Sequence, residues 1–266
     1  MASLSIIADD LGLAVPVNDG ILFLLKEKKI NGVSILPTGA AFLDAVEKLK
    51  AITDASVGVH LTLVEEASIL LPGEIRSLIG LGGRFYRNHR IFFIRYVLGL
   101  IKLSDIEKEL RAQVQRCREA GIAIQFLNSH QHLHLLPGIM NVVIRLAKEF
   151  HIPYIRVVKE PISGRPGSLS RKLQALILKL LSWRAIPHIR AAHLQHNEVF
   201  VGFLNAGTIT QEDINIAKLH AHASVELNCH PGHEDSDLHR RYNTWGGYHW
   251  EEELKLLQGE TDKLRN

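Results

Sequence analysis

The chain has 266 residues, of which 46% are hydrophobic and 22% are charged, and its formal net charge is +3. This length and apolar content suit one α/β domain with a sizeable core, and they argue against a disordered protein. The small net charge, without basic residues interleaved with aromatic side chains in a binding module, excludes nucleic acid as an expected partner.

Two features of the chain indicate its compartment. Cys117 and Cys229 lie far apart and form no disulfide framework, which is typical of a reducing environment. The first ten residues, MASLSIIADD, lack a charged segment followed by a long apolar stretch. We therefore expect a cytoplasmic protein without a signal peptide. Because no linker or repeat divides the chain, we expect a single domain over residues 1–266.

Predicted strands and helices alternate along the chain. The strand-like segments are, in order, SLSIIA, GVSIL, SVGVHLTL, IAIQFLNSHQHLH, YIRVV, EVFVGF and SVELNC. The helix-like segments include PVNDGILFLLKEKK, AAFLDAVEKLK, PGIMNVVIRLAKEF, a helix with a capping box of Ser104 and Glu107, one opened by Thr210 and Asp213, and one from about Trp250. This alternation predicts a parallel sheet, closed or open.

Polar clusters lie at or near the ends of four predicted strands. They are Asp9 with Asp10, His60, SHQHLH at 129–134, and CHPG at 229–232. Functional groups gather at the carboxyl ends of parallel strands, so the four clusters should lie on one side of the protein. Carboxylate oxygen and imidazole nitrogen are both good ligands of Zn²⁺, Mn²⁺ and similar ions. The sequence therefore predicts a divalent-metal site.

Asp9 and Asp10 end an apolar run with no basic residue nearby in sequence, and burial of two unpaired carboxylates is costly. Successive residues of an extended segment face opposite ways unless the chain turns. One aspartate can then bind a cation while the other takes a proton from water activated by that cation. The alternative is an exposed Asp-Asp turn before Gly12.

Single histidines occur in two of the clusters. His60 lies opposite the valine and leucine face of its strand, beside Gly58, where it is either a ligand or a hydrogen-bonded core residue. Pro231 disfavours the helical conformation at His230 and so holds it at the end of a strand. A histidine there suits a general acid that protonates a leaving group, and the alternative is a turn histidine.

Three histidines occur within five residues in SHQHLH. His130, His132 and His134 share one face if the segment is extended, whereas only His130 and His134 share a face if it is helical. Either geometry presents two imidazoles to one site. We expect one of the three to be a ligand and the others to orient it, and the spacing leaves open which is which.

The motifs ADDLG, VGVHLTLVE, LNSHQHLHLLPG and ELNCHPG occur in the order and approximate spacing of the YdjC/ChbG-like carbohydrate deacetylases, and the resemblance spans nearly the whole chain. The segment LVEEASILLPGEIRSLIGLGGRF is similar to the branch of that family associated with hopanoid biosynthesis. Glu66 stands where a glycine is common, a departure that bears on the substrate rather than on the reaction.

The resemblance implies a single-domain, distorted (β/α) TIM-like barrel with parallel strands, which removes N-acetyl groups from an amino sugar using one divalent cation, Mg²⁺ or Zn²⁺. By motif, Asp10, His60 and His130 would bind the metal, Asp9 would be the base and His230 the acid. Two alternatives stay open: a metal-dependent hydrolase of another amide or of a phosphoester, and a non-catalytic sugar-binding relative.

Residues 87–103 and 171–190 mix basic and large apolar side chains. Neither stretch reaches the roughly 18 uninterrupted apolar residues of a membrane span. They are either ordinary barrel helices with solvated basic faces or segments that lie on a bilayer surface. Peripheral contact with the inner membrane surface and a homodimer are further expectations from the sequence.

Overall fold

The computed structural model describes residues 3–52, 54–242, 245 and 247–260. Its strands are β1 (Ser3–Leu11), β2 (Gly32–Ile35), β3 (Ser56–Leu61), β4 (Ile124–Ser129), β5 (Tyr154–Ile155), β6 (Val199–Val201) and β7 (Ser224–Cys229). The helices are α1 (Val15–Lys26), α2 (Phe42–Leu49), α3 (His89–Val97), α4 (Leu103–Glu119), α5 (Ile139–Glu149), α6 (Leu169–Ala191), α7 (Gln211–Leu219), α8 (Ser236–Tyr242) and α9 (Trp250–Glu260).

The seven strands form one parallel sheet in the order β5-β4-β3-β2-β1-β7-β6, curled into an incomplete barrel. Near the gap between the edge strands β5 and β6, the Asn197 side chain makes hydrogen bonds to backbone groups that a neighbouring strand would otherwise make. Its Oδ1 accepts from the Val157 N–H at 2.8 Å, and its Nδ2 donates to the Val157 carbonyl at 2.7 Å. The predicted distorted barrel with parallel strands is confirmed.

The barrel interior is polar near the carboxyl ends of the strands. Ser34 of β2 and Asn128 of β4 are buried and donate hydrogen bonds to Asp9 of β1. Glu226 of β7 is also buried and reaches the same carboxylate through Arg156. Strands that are covered on both faces normally carry apolar side chains. This concentration of buried polar groups therefore indicates a candidate functional site at this end of the barrel.

The capping box predicted for α4 is wrong, whereas the predicted opening of α7 by Thr210 and Asp213 is confirmed, and these two residues form a capping box there. Helix α4 begins at Leu103, so Ser104 lies inside the first turn instead of preceding it. Ser77 from a neighbouring 3-10 turn contacts this helix start instead. Its Oγ accepts from the Lys102 N–H at 3.0 Å and donates to Asp105 at 2.8 Å. A cap supplied from 25 residues away in sequence has no local signature.

The fourth predicted strand is also shorter than expected. β4 ends at Ser129, and His130–Leu135 forms tight 3-10 turns instead of continuing the strand. Gln131 and His132 have left-handed backbone conformations, with φ of 54° and 53°. The SHQHLH segment is therefore neither extended nor regularly helical, and its three imidazoles point to different surroundings.

Candidate metal centre

The carboxyl ends of β1, β3 and β4 bring the three predicted ligands together. One ligating atom from each of Asp10, His60 and His130 lies within 4.8 Å of the others, and all three residues are buried. Asp10 Oδ1 is 3.3 Å from His60 Nε2 and 3.8 Å from His130 Nδ1. Residues far apart in sequence thus supply two imidazole nitrogens and one carboxylate oxygen around a common point.

A turn at the end of β1 aims the two aspartates at the same imidazole. Asp10 has a φ of 68°, and the pairing of β1 with β2 shifts register between Ala8 and Leu11. As a result, His60 lies between the two carboxylates. Its Nδ1 is 3.8 Å from Asp9 Oδ2, while its Nε2 faces Asp10. The left-handed turn gives adjacent residues different partners within one site.

Asp10 is a buried carboxylate without compensation. Neither of its oxygens has a hydrogen-bond partner among the described residues. Burial raises the pKa of Asp10 to about 7, with Asp9 and Glu66 adding to the rise and His130 opposing it. An unsatisfied buried carboxylate is expensive unless a cation neutralises it. The Asp10 environment therefore fits a metal ligand.

The outer nitrogens of both imidazoles are held by hydrogen bonds. His60 Nδ1 lies 2.8 Å from Asn128 Oδ1, and His130 Nε2 lies 2.8 Å from Glu65 Oε2. These contacts leave His60 Nε2 and His130 Nδ1 facing Asp10. Metal-binding histidines are typically oriented in this way by a carboxylate or carbonyl on the other nitrogen. The residues present therefore fit a divalent cation.

The two imidazoles differ in charge. Burial lowers the pKa of His60 to about 3, so this ring is neutral at physiological pH and its Nε2 lone pair is available. Burial alone would lower the pKa of His130 too, but Glu65 and Asp10 outweigh it and raise that pKa to about 9. A cation at this centre would therefore replace a proton that His130 otherwise holds between two carboxylates.

Asp9 has a cationic partner that the sequence analysis missed. Arg156 Nη1 and Nη2 donate to its two oxygens at 2.5 and 2.9 Å. Burial alone would raise the pKa of Asp9, but the Arg156 guanidinium outweighs burial and holds it well below its usual range. The available signal was an arginine inside the apolar segment YIRVV.

His230 lies beside Asp9, because Ala8 of β1 pairs with Cys229 of β7 one residue earlier. Its Nδ1 is buried without a partner among the described residues, and its ring edge contacts Tyr248 with centroids 5.0 Å apart. Burial lowers the pKa of His230 to about 4. The backbone N–H of His230 donates to Glu253 of α9 at 2.5 Å, which fixes the strand end.

The profile of a family described as YdjC-like protein matches residues 3–263. The chain belongs to this YdjC-like family. A carbohydrate deacetylase from Oceanobacillus iheyensis is 32% identical over 146 residues, or 55% of this chain and 61% of the relative. One from Brevibacillus brevis is 31% identical over 146 residues, or 55% of this chain and 56% of the relative. These matches thus span little more than half the length of each relative.

Longer matches cover most of this YdjC-like chain. A carbohydrate deacetylase from Clostridium beijerinckii is 25% identical over 234 residues, which cover 87% of this chain and 82% of the relative. The crystal structure of an Enterococcus faecalis V583 protein, described as a candidate cellobiose-phosphate cleavage protein, superposes with a TM-score of 0.72. That match covers 98% of this chain and 92% of the other at 23% identity, a likeness of fold.

The other two histidines of the cluster do not orient His130 in this YdjC-like protein. His134 Nδ1 lies 2.7 Å from Ser129 Oγ, and its Nε2 lies 3.0 Å from the Arg156 carbonyl. His132 packs against Phe200 and Phe203 with ring centroids 5.6 and 5.7 Å away. The expectation that they position the ligand is wrong, because Glu65 has that role.

Aromatic rings form one wall beside the candidate metal centre. Trp245 lies 4.6 Å from the His130 ring, 4.5 Å from Tyr242 and 5.4 Å from Tyr248, measured between centroids. A cleft of about 820 Å³ reaches this wall and is also lined by Glu65, Glu66, Arg84 and Arg87. The sequence analysis missed these rings, although four aromatic residues occur within 242–250.

Proposed function

We propose that this chain is a metal-dependent carbohydrate deacetylase that hydrolyses the N-acetyl group of an amino sugar. The observation that carries the proposal is the buried, unsatisfied Asp10 carboxylate facing one free nitrogen each of His60 and His130. The family supports the substrate class, because its relatives from Oceanobacillus iheyensis and Clostridium beijerinckii are both named carbohydrate deacetylases.

Asp10, His60 and His130 would hold the cation. When bound, a divalent cation supplies a Lewis acid that polarises the acetyl carbonyl and lowers the pKa of an attacking water. Two nitrogen donors and one carboxylate favour Zn²⁺ or another borderline cation over Mg²⁺, which prefers an all-oxygen set.

Asp9 would take the proton from the attacking water. Among the residues that the structure describes, Ser34, Asn128 and Arg156 donate to its Oδ1, whereas Arg156 alone donates to its Oδ2. Oδ2 therefore retains a lone pair on the side of His60. The guanidinium keeps this carboxylate ionised over the whole physiological pH range, and because it also weakens the carboxylate as a base, the proton would have to be passed on at once.

His230 would pass a proton to the departing amine. Hydrolysis needs no net proton, because water releases one at Asp9 and the amine accepts one. The strand register brings His230 next to Asp9, and its Nδ1 has no partner among the described residues. Because burial keeps the His230 ring neutral, its Nδ1 would first accept the proton that Asp9 takes from water and then deliver it to the leaving nitrogen, so that Asp9 and His230 both return to their starting charge.

The aromatic wall would hold the sugar. The flat apolar face of Trp245 suits the C–H face of a pyranose ring, while Glu65, Glu66 and the cleft arginines offer hydrogen bonds to hydroxyl groups. A cleft of about 820 Å³ lies within the size range of small-ligand sites, roughly 300–1,000 Å³.

Acetate release from a panel of N-acetylated free and lipid-linked sugars, with and without chelator, tests the proposal. We expect release that chelator abolishes and Zn²⁺ or Mn²⁺ restores. Asp9→Asn should bind metal but lose roughly 100- to 10,000-fold in kcat. His130→Ala should lose metal as well, while His222→Ala, an exposed histidine outside the site, should leave both unchanged.

Two results would contradict the proposal. Phosphate release without acetate release would show that the protein is a phosphoesterase. Metal-dependent binding of an oligosaccharide without turnover would show that it is a sugar-binding protein. Full activity of Asp9→Asn would remove the base from the scheme while leaving the metal site intact.

A further inference from the structure

Helix α6 is apolar on two opposite sides. Its core side contains Ala175, Ala185, Ile186 and Ile189, all buried. Its solvent side has a stripe of six large apolar side chains that are 44–85% exposed: Leu169, Leu173, Leu176, Ile177, Leu180 and Trp183. Their spacing places all six along one face of the helix, opposite the buried face. A surface helix in water normally presents polar side chains on that side. An exposed apolar stripe of this size indicates a contact with another apolar surface.

Helix α3 and the residues after it have the same character. Only Phe92 of α3 is buried, whereas Phe93, Ile94, Val97 and Leu98 are 48–67% exposed. Single exposed apolar residues are common on protein surfaces, but a run of four within six residues is not explained in that way.

Charge accompanies this apolar surface. Residues 87–103 and 169–191 together contain nine Lys and Arg and no Asp or Glu, whereas the whole chain has a net charge of only +3. Lys172 and Lys179 flank one side of the α6 stripe and Arg184 flanks the other. The Lys179 ammonium lies 5.5 Å from the centre of the Trp183 ring. This pattern of an apolar stripe bordered by cations is typical of helices that lie in a membrane interface.

Both helices border the candidate site. The Tyr96 hydroxyl of α3 donates to the Pro137 carbonyl, and α6 packs against the His130–Leu135 turn and forms a groove with Pro137 and Met140. The cleft wall of Arg84 and Arg87 also leads directly into α3. The two apolar surfaces therefore flank the segment that carries the metal ligand His130.

We infer that α3 and α6 dock this protein onto an anionic lipid bilayer, with their exposed apolar side chains among the lipid chains and their Lys and Arg on lipid phosphates. A second copy of the chain fits this surface less well, because a symmetric interface would bring the same acid-free cationic patches together. No helix in the described part of the chain has the length and apolarity needed to span a bilayer.

Co-sedimentation with vesicles tests this inference without reference to catalysis. We expect binding to phosphatidylcholine vesicles that contain phosphatidylglycerol, and at least tenfold weaker binding to phosphatidylcholine alone or at about 1 M salt, where the screening length falls to ~3 Å. The triple variant Ile177→Gln, Leu180→Gln, Trp183→Gln should lose at least tenfold in binding while keeping the same circular dichroism spectrum.

A matched control removes apolar side chains elsewhere. Leu71→Gln and Leu219→Gln replace residues that are 72% and 74% exposed and lie outside both helices, so vesicle binding should not change. Absence of binding to anionic vesicles at low salt would overturn the inference. Concentration-dependent self-association that the α6 triple variant abolishes, without vesicle binding, would assign the surface to a second copy instead.

Discussion

Asp9 and Asp10 are adjacent in sequence but differ in how their charge is balanced. Asp9 is buried with four hydrogen bonds from Ser34, Asn128 and Arg156, and its pKa is held well below the usual range. Asp10 is equally buried, receives no hydrogen bond from the described part of the chain, and burial raises its pKa to about 7. Asp9 therefore stays ionised, whereas the surroundings of Asp10 fit a group neutralised by a cation, as the proposed metal-assisted hydrolysis requires.

Arg156 compensates two buried carboxylates, Asp9 and Glu226. We expect Arg156→Gln to lower the free energy of unfolding by about 3–5 kcal/mol, because it leaves both acids buried without a cation. Urea denaturation measures this loss. Arg76→Gln, at an exposed arginine, is the control and should have little effect. Equal stability of the two variants would mean that Asp9 and Glu226 are neutralised in another way.

Cation binding at the proposed centre should strengthen as pH rises. Burial raises the pKa of Asp10 to about 7, and Glu65 with Asp10 outweighs burial to raise that of His130 to about 9. Both groups must lose their protons to act as ligands. At lower pH, protons therefore compete more strongly with the metal for Asp10 and His130. Between pH 7 and pH 9 we expect about a tenfold change in affinity per pH unit, one proton being displaced.

Titration calorimetry with Zn²⁺ in two buffers of different ionisation enthalpy counts that proton directly. The Glu65→Gln variant supplies the comparison, because it removes the carboxylate that holds the proton on His130. Its affinity should depend less on pH. If the unmodified protein bound Zn²⁺ with equal affinity at pH 7 and pH 9, His130 would not be a ligand that must first lose a proton.

At the scale of elements, one side chain of α9 ties together two loops at the site. Glu253 accepts from the His230 N–H at 2.5 Å and from the Ile209 N–H at 2.9 Å. The last helix thereby fixes the end of β7, where the proposed acid lies, to the residues that precede α7. Helix and strand ends leave backbone groups unpaired, and a buried carboxylate is an efficient partner for two N–H donors at once.

Glu253→Gln should lower stability by about 1–3 kcal/mol, because an amide NH₂ then faces one of the two buried N–H donors. Turnover should also fall as His230 shifts. Thermal denaturation and steady-state kinetics measure the two effects, and Glu252→Gln, on an exposed neighbour, is the control. A variant with unchanged stability and reduced turnover would indicate that Glu253 acts on the reaction and not on the loop.

The alternation of strands and helices could be predicted from sequence because strand and helix periodicities are local. The parallel-strand rule then placed Asp10, His60 and the histidine cluster on one edge. Local patterns could not select His130 among three histidines, because the choice depends on left-handed turns at Gln131 and His132. Arg156 was missed for a different reason, since its partner Asp9 lies 147 positions away and meets it only when the sheet curls.

At the scale of the whole molecule, backbone hydrogen bonds of Gln195 and side-chain hydrogen bonds of Asn197 join the two edges of the incomplete barrel across its gap. β5 and β6 are edge strands, and Asn197 links the chain before β6 to Val157 after β5 with two hydrogen bonds. Arg156, next to Val157, holds Asp9 from the same segment. The gap therefore lies close to the proposed base, so barrel closure and base position are coupled through neighbouring residues.

Asn197→Ala should weaken that closure. It leaves the buried N–H and carbonyl of Val157 without partners, at a cost of about 1–3 kcal/mol for each group left unsatisfied. Hydrogen exchange should report faster exchange at the Val157 amide. Asn197→Asp keeps an acceptor for this N–H and should restore much of its protection, whereas Asn215→Ala, at an exposed site on α7, should change nothing. If the Val157 amide exchanged at the same rate in Asn197→Ala, the backbone hydrogen bonds of Gln195 to Pro153 and Ile155 would be sufficient to hold the two edges together.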